Sequence, residues 1–277
     1  MPITESIHIT ESSTKTYVIS YLPAGPLKGI IILVHGLGEH IRRYDQQLSY
    51  FNDQGYGVIG ADLIGHGRTE GVRGTWKSME SNYHIIDQLF IEAARFDPTL
   101  PVFLYGHSMG GNIAARYVVI KNPGIRGLIL TGPAIKTPKD LPSFLVRAVM
   151  AAPEWIKNIR VPNGLDLSSL CTDEDVVRQY IADPLVHNRV SLGAGATILD
   201  NAENLLHQTW IPPFPVLMMH GGDDRITLPS GTESLKNKWS GKVDLKIWPG
   251  MLHEIHNEKE KRAVWQFTID WLDQILS

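Results

Sequence analysis

Short runs of β-branched and aliphatic residues alternate along this chain with stretches whose apolar positions recur every three to four residues. TYVISYL (16–22), GIIILVH (29–35) and GYGVIGAD (55–62) read as strands, and PVFLYG (101–106), GLILTG (127–132), PVLMMH (215–220) and VDLKIW (243–248) continue the series. Several are compact apolar runs bounded by Gly and Pro, the pattern of strands covered on both faces. Between them, 41–54, 79–95 and 109–122 carry helix-spaced apolar residues such as Ile85, Leu89 and Ala93, and 257–275 closes the chain as an amphipathic helix. Pro123 and Gly124 supply a stop signal for the third helix. Strand–helix–strand alternation of this kind specifies an α/β fold, a mostly parallel central sheet with helices on both faces.

The interval from Ile135 to Pro213 breaks the rhythm. It holds Pro138, Pro142, Pro153, Pro162 and Pro184, no convincing strand, and several short apolar helical pieces, among them SFLVRAVMAAPEWI (143–156), interrupted by Pro153. Structureless loops beyond about 15 residues are uncommon in compact domains, so the interval is expected to be a helical cap over the sheet. The predicted organisation is a core of 1–134 and 214–277 with a cap of 135–213. No internal repeat or low-complexity segment interrupts this division.

Composition narrows the function classes. A formal charge of −3 and a pI near 6.4 argue against nucleic acid as a partner, which wants a basic face. The single cysteine, Cys171, excludes an internal disulfide framework and any multi-cysteine metal site. The leading residues MPITESIHITESS show no basic segment followed by an apolar run, and no stretch approaches the roughly 18 apolar residues of a membrane span. A cytoplasmic protein is the expectation.

Gly106-His107-Ser108-Met109-Gly110 follows the strand PVFLY and opens the helix at 109–122. That strand–turn–helix setting is what a G-x-S-x-G nucleophile turn requires. The helix N-terminus places free N–H groups and a positive dipole beside Ser108, which favours an anion there. A serine hydroxyl is a weak nucleophile until a base takes its proton, and the base needs a carboxylate to orient it. In folds with this turn the chain order is Ser, acid, His. Gly221-Gly222-Asp223-Asp224-Arg225 follows the strand PVLMMH, and Pro249-Gly250-Met251-Leu252-His253-Glu254-Ile255-His256 follows VDLKIW. Both loops leave the same sheet edge as Ser108 if the strands are parallel. Physics alone leaves two pairs open, Asp223 against Asp224 and His253 against His256, although His253 lies in the first turn after a glycine-containing loop.

These residues resemble a known family. His35-Gly36-Leu37-Gly38-Glu39-His40 with Arg43-Tyr44 resembles the H-G-x-G-E-H…R-Y signature of monoacylglycerol lipases and related lysophospholipases, members of the α/β-hydrolase fold. Asp62-Leu63-Ile64-Gly65-His66-Gly67-Arg68-Thr69-Glu70-Gly71 is similar to their D-x-x-G-H-G-x-S-E-G loop, with Thr69 in place of serine. Gly106 to Gly111 matches their G-H-S-M-G-G run, Asp183-Pro184-Leu185 looks like their cap motif, and Asp224-Arg225 and His253, with Glu258 beyond, look like their acid and histidine loops. The resemblance implies Ser108 as nucleophile, Asp224 as acid and His253 as base. It implies an oxyanion hole from the backbone N–H groups of Leu37 and Met109, and headgroup contacts from Glu39, Arg43 and His256. Glu39 and Arg43 also stand four apart, the spacing of a simple intrahelical ion pair.

The implied activity is hydrolysis of monoacylglycerols to fatty acid and glycerol through an acyl-enzyme, with no cofactor and no metal. The partner is a lipid ester, monoacylglycerol or lysophospholipid. Phe144, Leu145, Val146, Val149, Met150, Trp155 and Ile156 in the cap either line an acyl site or seal the cap to the sheet, and could touch a membrane or lipid-droplet surface. A lysophospholipase or broad carboxylesterase would use the same residues. A non-catalytic ligand receptor of the same fold is the reading from another class, and such proteins usually lose a member of the Ser–Asp–His set.

Overall fold

The computed structural model describes residues 3–9, 14–22, 25–138 and 141–277; the expectation of no leader falls partly on residues outside these. Ten strands and nine α-helices are present among the described residues. The strands are β1 (Ile3–Ile9), β2 (Lys15–Tyr21), β3 (Gly29–Val34), β4 (Tyr56–Ala61), β5 (Val102–His107), β6 (Gly127–Thr131), β7 (Arg160–Pro162), β8 (Arg189–Ser191), β9 (Val216–Gly221) and β10 (Val243–Trp248). The helices are α1 (Asp45–Asp53), α2 (Met79–Phe96), α3 (Met109–Lys121), α4 (Ser143–Ala151), α5 (Glu154–Lys157), α6 (Glu174–Ala182), α7 (Leu192–His207), α8 (Pro229–Lys238) and α9 (Lys261–Leu276).

Eight strands form one sheet in the order β1-β2-β4-β3-β5-β6-β9-β10. From β4 through β10 every pairing is parallel, while β1 and β2 are antiparallel additions at one edge. Period-two alternation divides the core. Ile30, Ile32 and Val34 of β3 face α2, α3 and α8, with Ile85, Leu89, Ile113 and Leu235. Ile31 and Leu33 face α1 and α9, with Leu48, Phe51, Val264 and Ile269. Apolar residues on both sides of one strand are the requirement for a parallel sheet covered by two helical layers, so the fold is the α/β-hydrolase type expected.

The insertion differs from its expectation in two respects. A two-stranded antiparallel ribbon of β7 and β8 braces it, where no strand was expected; each strand has three residues and one contains Pro162, too little pattern to read. Its last helix, α7, sends Ala194 and Leu205 into the main core, so that helix packs into the body of the molecule. The apolar stretch 143–156 is split at Pro153 into α4 and α5, and the segment 41–54 opens with a 3₁₀ turn, Ile41–Tyr44, before α1. The last helix begins at Lys261 rather than at 257.

Candidate active site

Ser108 sits in the turn between β5 and α3 at φ +54° and ψ −119°. The glycines around it are forced by contact. A Cβ on Gly106 would lie 2.5 Å from the Gly110 carbonyl oxygen, and one on Gly110 would lie 2.1 Å from that of Val34. The turn therefore tolerates only hydrogen at these positions, and α3 packs directly against the end of β3.

His253 and Asp224 reach this serine from the loops after β10 and β9. His253 Nε2 lies 2.9 Å from Ser108 Oγ, and its Nδ1 lies 2.7 Å from Asp224 Oδ2. A carboxylate only accepts, so Nδ1 carries the proton and Nε2 is free to accept from the serine hydroxyl. Asp224 is buried, with Oδ1 accepting the N–H groups of Ile226 and Thr227 and Oδ2 also accepting from the Thr227 hydroxyl. Burial alone would raise its pKa, but His253 and His220 hold the carboxyl far below the usual carboxylate range. Burial likewise disfavours a charged His253, yet the Asp224 carboxylate outweighs it and raises the imidazole above its ordinary value.

The two members of each pair that spacing alone left open differ in side-chain direction. Asp223 is exposed, whereas Asp224 points inward. His256 is fully buried and stacks on Tyr44 with ring centroids 4.6 Å apart, with no hydrogen-bond partner for either ring nitrogen among the described residues. Burial pushes its pKa down to about 3.

The loop after β3 passes beside the serine. A Cβ built on Gly36 would stand 3.2 Å from Ser108 Cβ, and Leu37 and Met109 line the same cavity as Ser108. Among the described residues no acceptor engages the backbone N–H of either Leu37 or Met109. The loop is fixed at its base by His35, whose Nδ1–H donates to the Gly36 carbonyl and whose Nε2 accepts from Leu63 N–H. Burial pushes the His35 pKa down to about 3, so the ring is neutral. Asp62 accepts the N–H groups of Ile41 and Arg68. Thr69, the departure from serine in that loop, does the hydroxyl's work, donating to the Asp62 carbonyl and accepting from Tyr17 N–H.

Glu39, Arg43 and His256 are not brought into the cavity. Arg43 donates to Glu39 Oε2 at 2.6 Å and spans Glu254 with two hydrogen bonds of 2.6 and 2.8 Å. All three side chains are buried, and the guanidinium lies 4.5 Å over the Tyr180 ring of α6. The i,i+4 pair is thus present, extended into a buried network behind the serine.

Two contributors were not picked out from the sequence. His220, on β9, donates Nε2–H to Asp224 Oδ2 at 2.9 Å; the same nitrogen also lies 3.0 Å from the Thr227 carbonyl, another acceptor, and 3.3 Å from the Thr227 hydroxyl. Thr227 closes the turn below Asp224. A histidine four residues before the acid at a strand's end was the available signal.

The cavity above Ser108 measures about 320 Å³ and is mainly apolar, with Leu145, Val146 and Val149 of α4, Ala196 and Leu199 of α7, and Ile226 among its walls. The opposite stripe of the α4–α5 region points outward: Phe144 is 65% and Trp155 71% exposed. The stretch is thus divided between positions that line the cavity and positions that face solvent. No helix among the described residues is long and apolar enough to cross a membrane.

Comparison with known proteins finds relatives over most of the chain. The chain is 31% identical over 248 residues to the monoacylglycerol lipase of Mycolicibacterium smegmatis, with 88% of each chain covered. It is 30% identical over 254 residues to the phospholipase YtpA of Bacillus subtilis, covering 89% of this chain and 96% of that one. It is 35% identical to an uncharacterised abhydrolase domain-containing protein of Dictyostelium discoideum, of whose length it spans 26%. The crystal structure of Paleococcus ferrophilus monoacylglycerol lipase superposes with a TM-score of 0.84 at 33% identity, covering 94% of this chain and 99% of that one. Residues 25–260, which include the Ser108 turn and the His253 loop, match the family described as serine aminopeptidase, S33. The chain belongs to that family of α/β-hydrolases, together with the monoacylglycerol lipases it resembles.

Proposed function

We propose that this protein is a serine ester hydrolase that cleaves monoacylglycerols to fatty acid and glycerol, with Ser108 as nucleophile, His253 as base and Asp224 as the orienting acid. The observation that carries the reading is the hydrogen-bonded chain from Ser108 Oγ through His253 to Asp224, opening on an apolar cavity. The similarity to monoacylglycerol lipases supports the glycerol ester as substrate.

In this mechanism Ser108 Oγ attacks the ester carbonyl while His253 Nε2 takes the hydroxyl proton. The developing oxyanion receives the N–H groups of Leu37 and Met109, donors worth about 3–4 kcal/mol each in comparable sites. The imidazolium, stabilised by Asp224, gives its proton to the departing glycerol oxygen. Water then attacks the acyl-enzyme with His253 again as base, releasing the fatty acid. The acyl chain occupies the cavity under α4. Glu39, Arg43 and His256 serve this reading as the frame behind the serine rather than as headgroup contacts, since they lie outside the cavity lining. Phe144 and Trp155 suit contact with a lipid surface from which the substrate is drawn.

Fluorophosphonate labelling and a panel of lipids with matched acyl chains test the proposal. Labelling that Ser108→Ala abolishes, with turnover of monoacylglycerol, is the expected result; an unlabelled wild-type chain returns the protein to the receptor reading. The similarity to a phospholipase favours one second reading: faster hydrolysis of lysophosphatidylcholine than of the matched glycerol ester selects it.

A further inference from the structure

Glu258 stands outside the catalytic hydrogen-bond chain, yet it is 0% exposed. No cation pairs with it among the described residues. Its carboxylate is held instead by three donors. Leu252 N–H reaches Oε1 at 2.7 Å, Thr172 N–H reaches Oε2 at 2.9 Å, and the Thr172 hydroxyl donates to that same oxygen. Leu252 immediately precedes His253, whereas Thr172 belongs to the insertion. Two main-chain hydrogen bonds run alongside, from His253 N–H to the Ser169 carbonyl and from Glu254 N–H to that of Leu170, the latter at 2.6 Å.

A carboxylate taken out of water without a counter-ion is costly unless its oxygens are saturated with donors. Here the donors come from two different parts of the molecule, so satisfying the charge requires those parts to keep one relative position. One part carries the imidazole. The other continues into the cap whose α4 roofs the acyl cavity through Leu145 and Val146.

We propose that Glu258 is a positioning residue that fixes the His253 loop against the cap, so that displacement of the cap is felt at the imidazole. The inference rests on His253 being the base. It goes beyond that assignment by making cap and base a single mechanical unit joined at one buried carboxylate.

The test measures kcat and KM with a short soluble ester, p-nitrophenyl butyrate, per fluorophosphonate-titrated site, so that any misfolded fraction drops out. Glu258→Gln keeps the shape but turns an NH₂ toward one of the N–H donors; kcat is expected to fall by about tenfold to a hundredfold, the loss typical of slight misplacement of reacting groups, with KM little changed. Thr172→Val removes only the hydroxyl arm and touches none of Ser108, Asp224 or His253; kcat is expected to fall several-fold, and the double variant to be no slower than Glu258→Gln. Wild-type kcat in Thr172→Val overturns the proposal, as do losses that multiply in the double variant. If Glu258→Gln fails to fold, Thr172→Val alone decides. Failure of wild type to label removes the base assignment itself and is read separately.

Discussion

The backbone N–H of Gly36 donates to Glu39 Oε1 across 2.6 Å, and this bond makes a buried charge part of the loop that carries Leu37. The same oxygen accepts from the Tyr44 hydroxyl at 2.7 Å, while Oε2 meets Arg43. Arg43 then continues to Glu254, next to His253 in the chain. The two loops that lie beside Ser108, one carrying Gly36 and one carrying His253, are thus tied together by one guanidinium between two carboxylates.

Removing that guanidinium leaves two buried carboxylates facing one another. Arg43→Met is expected to destabilise the fold by about 3–5 kcal/mol, the cost of breaking a buried pair from one side. Glu39→Gln leaves the bidentate Arg43–Glu254 contact in place and should cost about 1–3 kcal/mol. Urea denaturation of both variants checks the order, and a milder Arg43→Met would contradict it.

The pH dependence follows from the His253 environment. As the proposed base His253 must be neutral, and Asp224 raises its pKa above the ordinary 6.5 in spite of burial. kcat/KM should therefore rise with pH through a midpoint above that value. In Asp224→Asn the carboxylate is gone and burial remains, so the midpoint should move down, and kcat should drop by about 10⁴ as the imidazole tautomer is lost. An unmoved midpoint would exclude Asp224 as the cause.

Much of this arrangement was legible in the sequence because burial leaves a compositional trace. GIIIL, PVFLYG and GLILTG are apolar on both faces, which marks central parallel strands, and the glycines around Ser108 are dictated by backbone contact. β1, a half-polar edge strand reading ITESIHI, leaves no such trace and was not recognised. Composition and spacing alone could not separate Asp223 from Asp224, because neighbours in a loop differ in side-chain direction; the family resemblance named Asp224. Glu39 and Arg43 show the opposite failure: their spacing was read, but the sequence could not say that Glu254, 211 positions beyond Arg43, completes the network.

The tight turn makes glycine variants informative. A Cβ at Gly110 would lie 2.1 Å and 2.5 Å from the carbonyl oxygens of Val34 and His35, whereas one at Gly124 meets nothing within 4 Å. Gly110→Ala should abolish fluorophosphonate labelling or soluble expression, and Gly124→Ala should behave as wild type. Equal labelling of the two would show that the turn relaxes more readily than backbone packing permits.

The cavity wall predicts chain-length selectivity. Ala196, buried on α7, lines the cavity beside α4. Ala196→Phe should reduce kcat/KM for long acyl chains by about tenfold or more, since even one misfitting methylene costs about 1–3 kcal/mol. Short esters should be hydrolysed at close to the wild-type rate. A uniform loss across the series would place the acyl chain elsewhere.

Ser108 holds positive φ with ψ at −119°, a backbone state that costs a non-glycine residue of order 1–3 kcal/mol. Repacking elsewhere can outweigh this strain but cannot remove it, because it belongs to the residue proposed as the nucleophile. The folded state therefore sits above the lowest free energy open to nearly the same sequence. Evolution toward greater thermal resistance has a shortcut at this position, glycine in place of serine, that it can take only by giving up turnover.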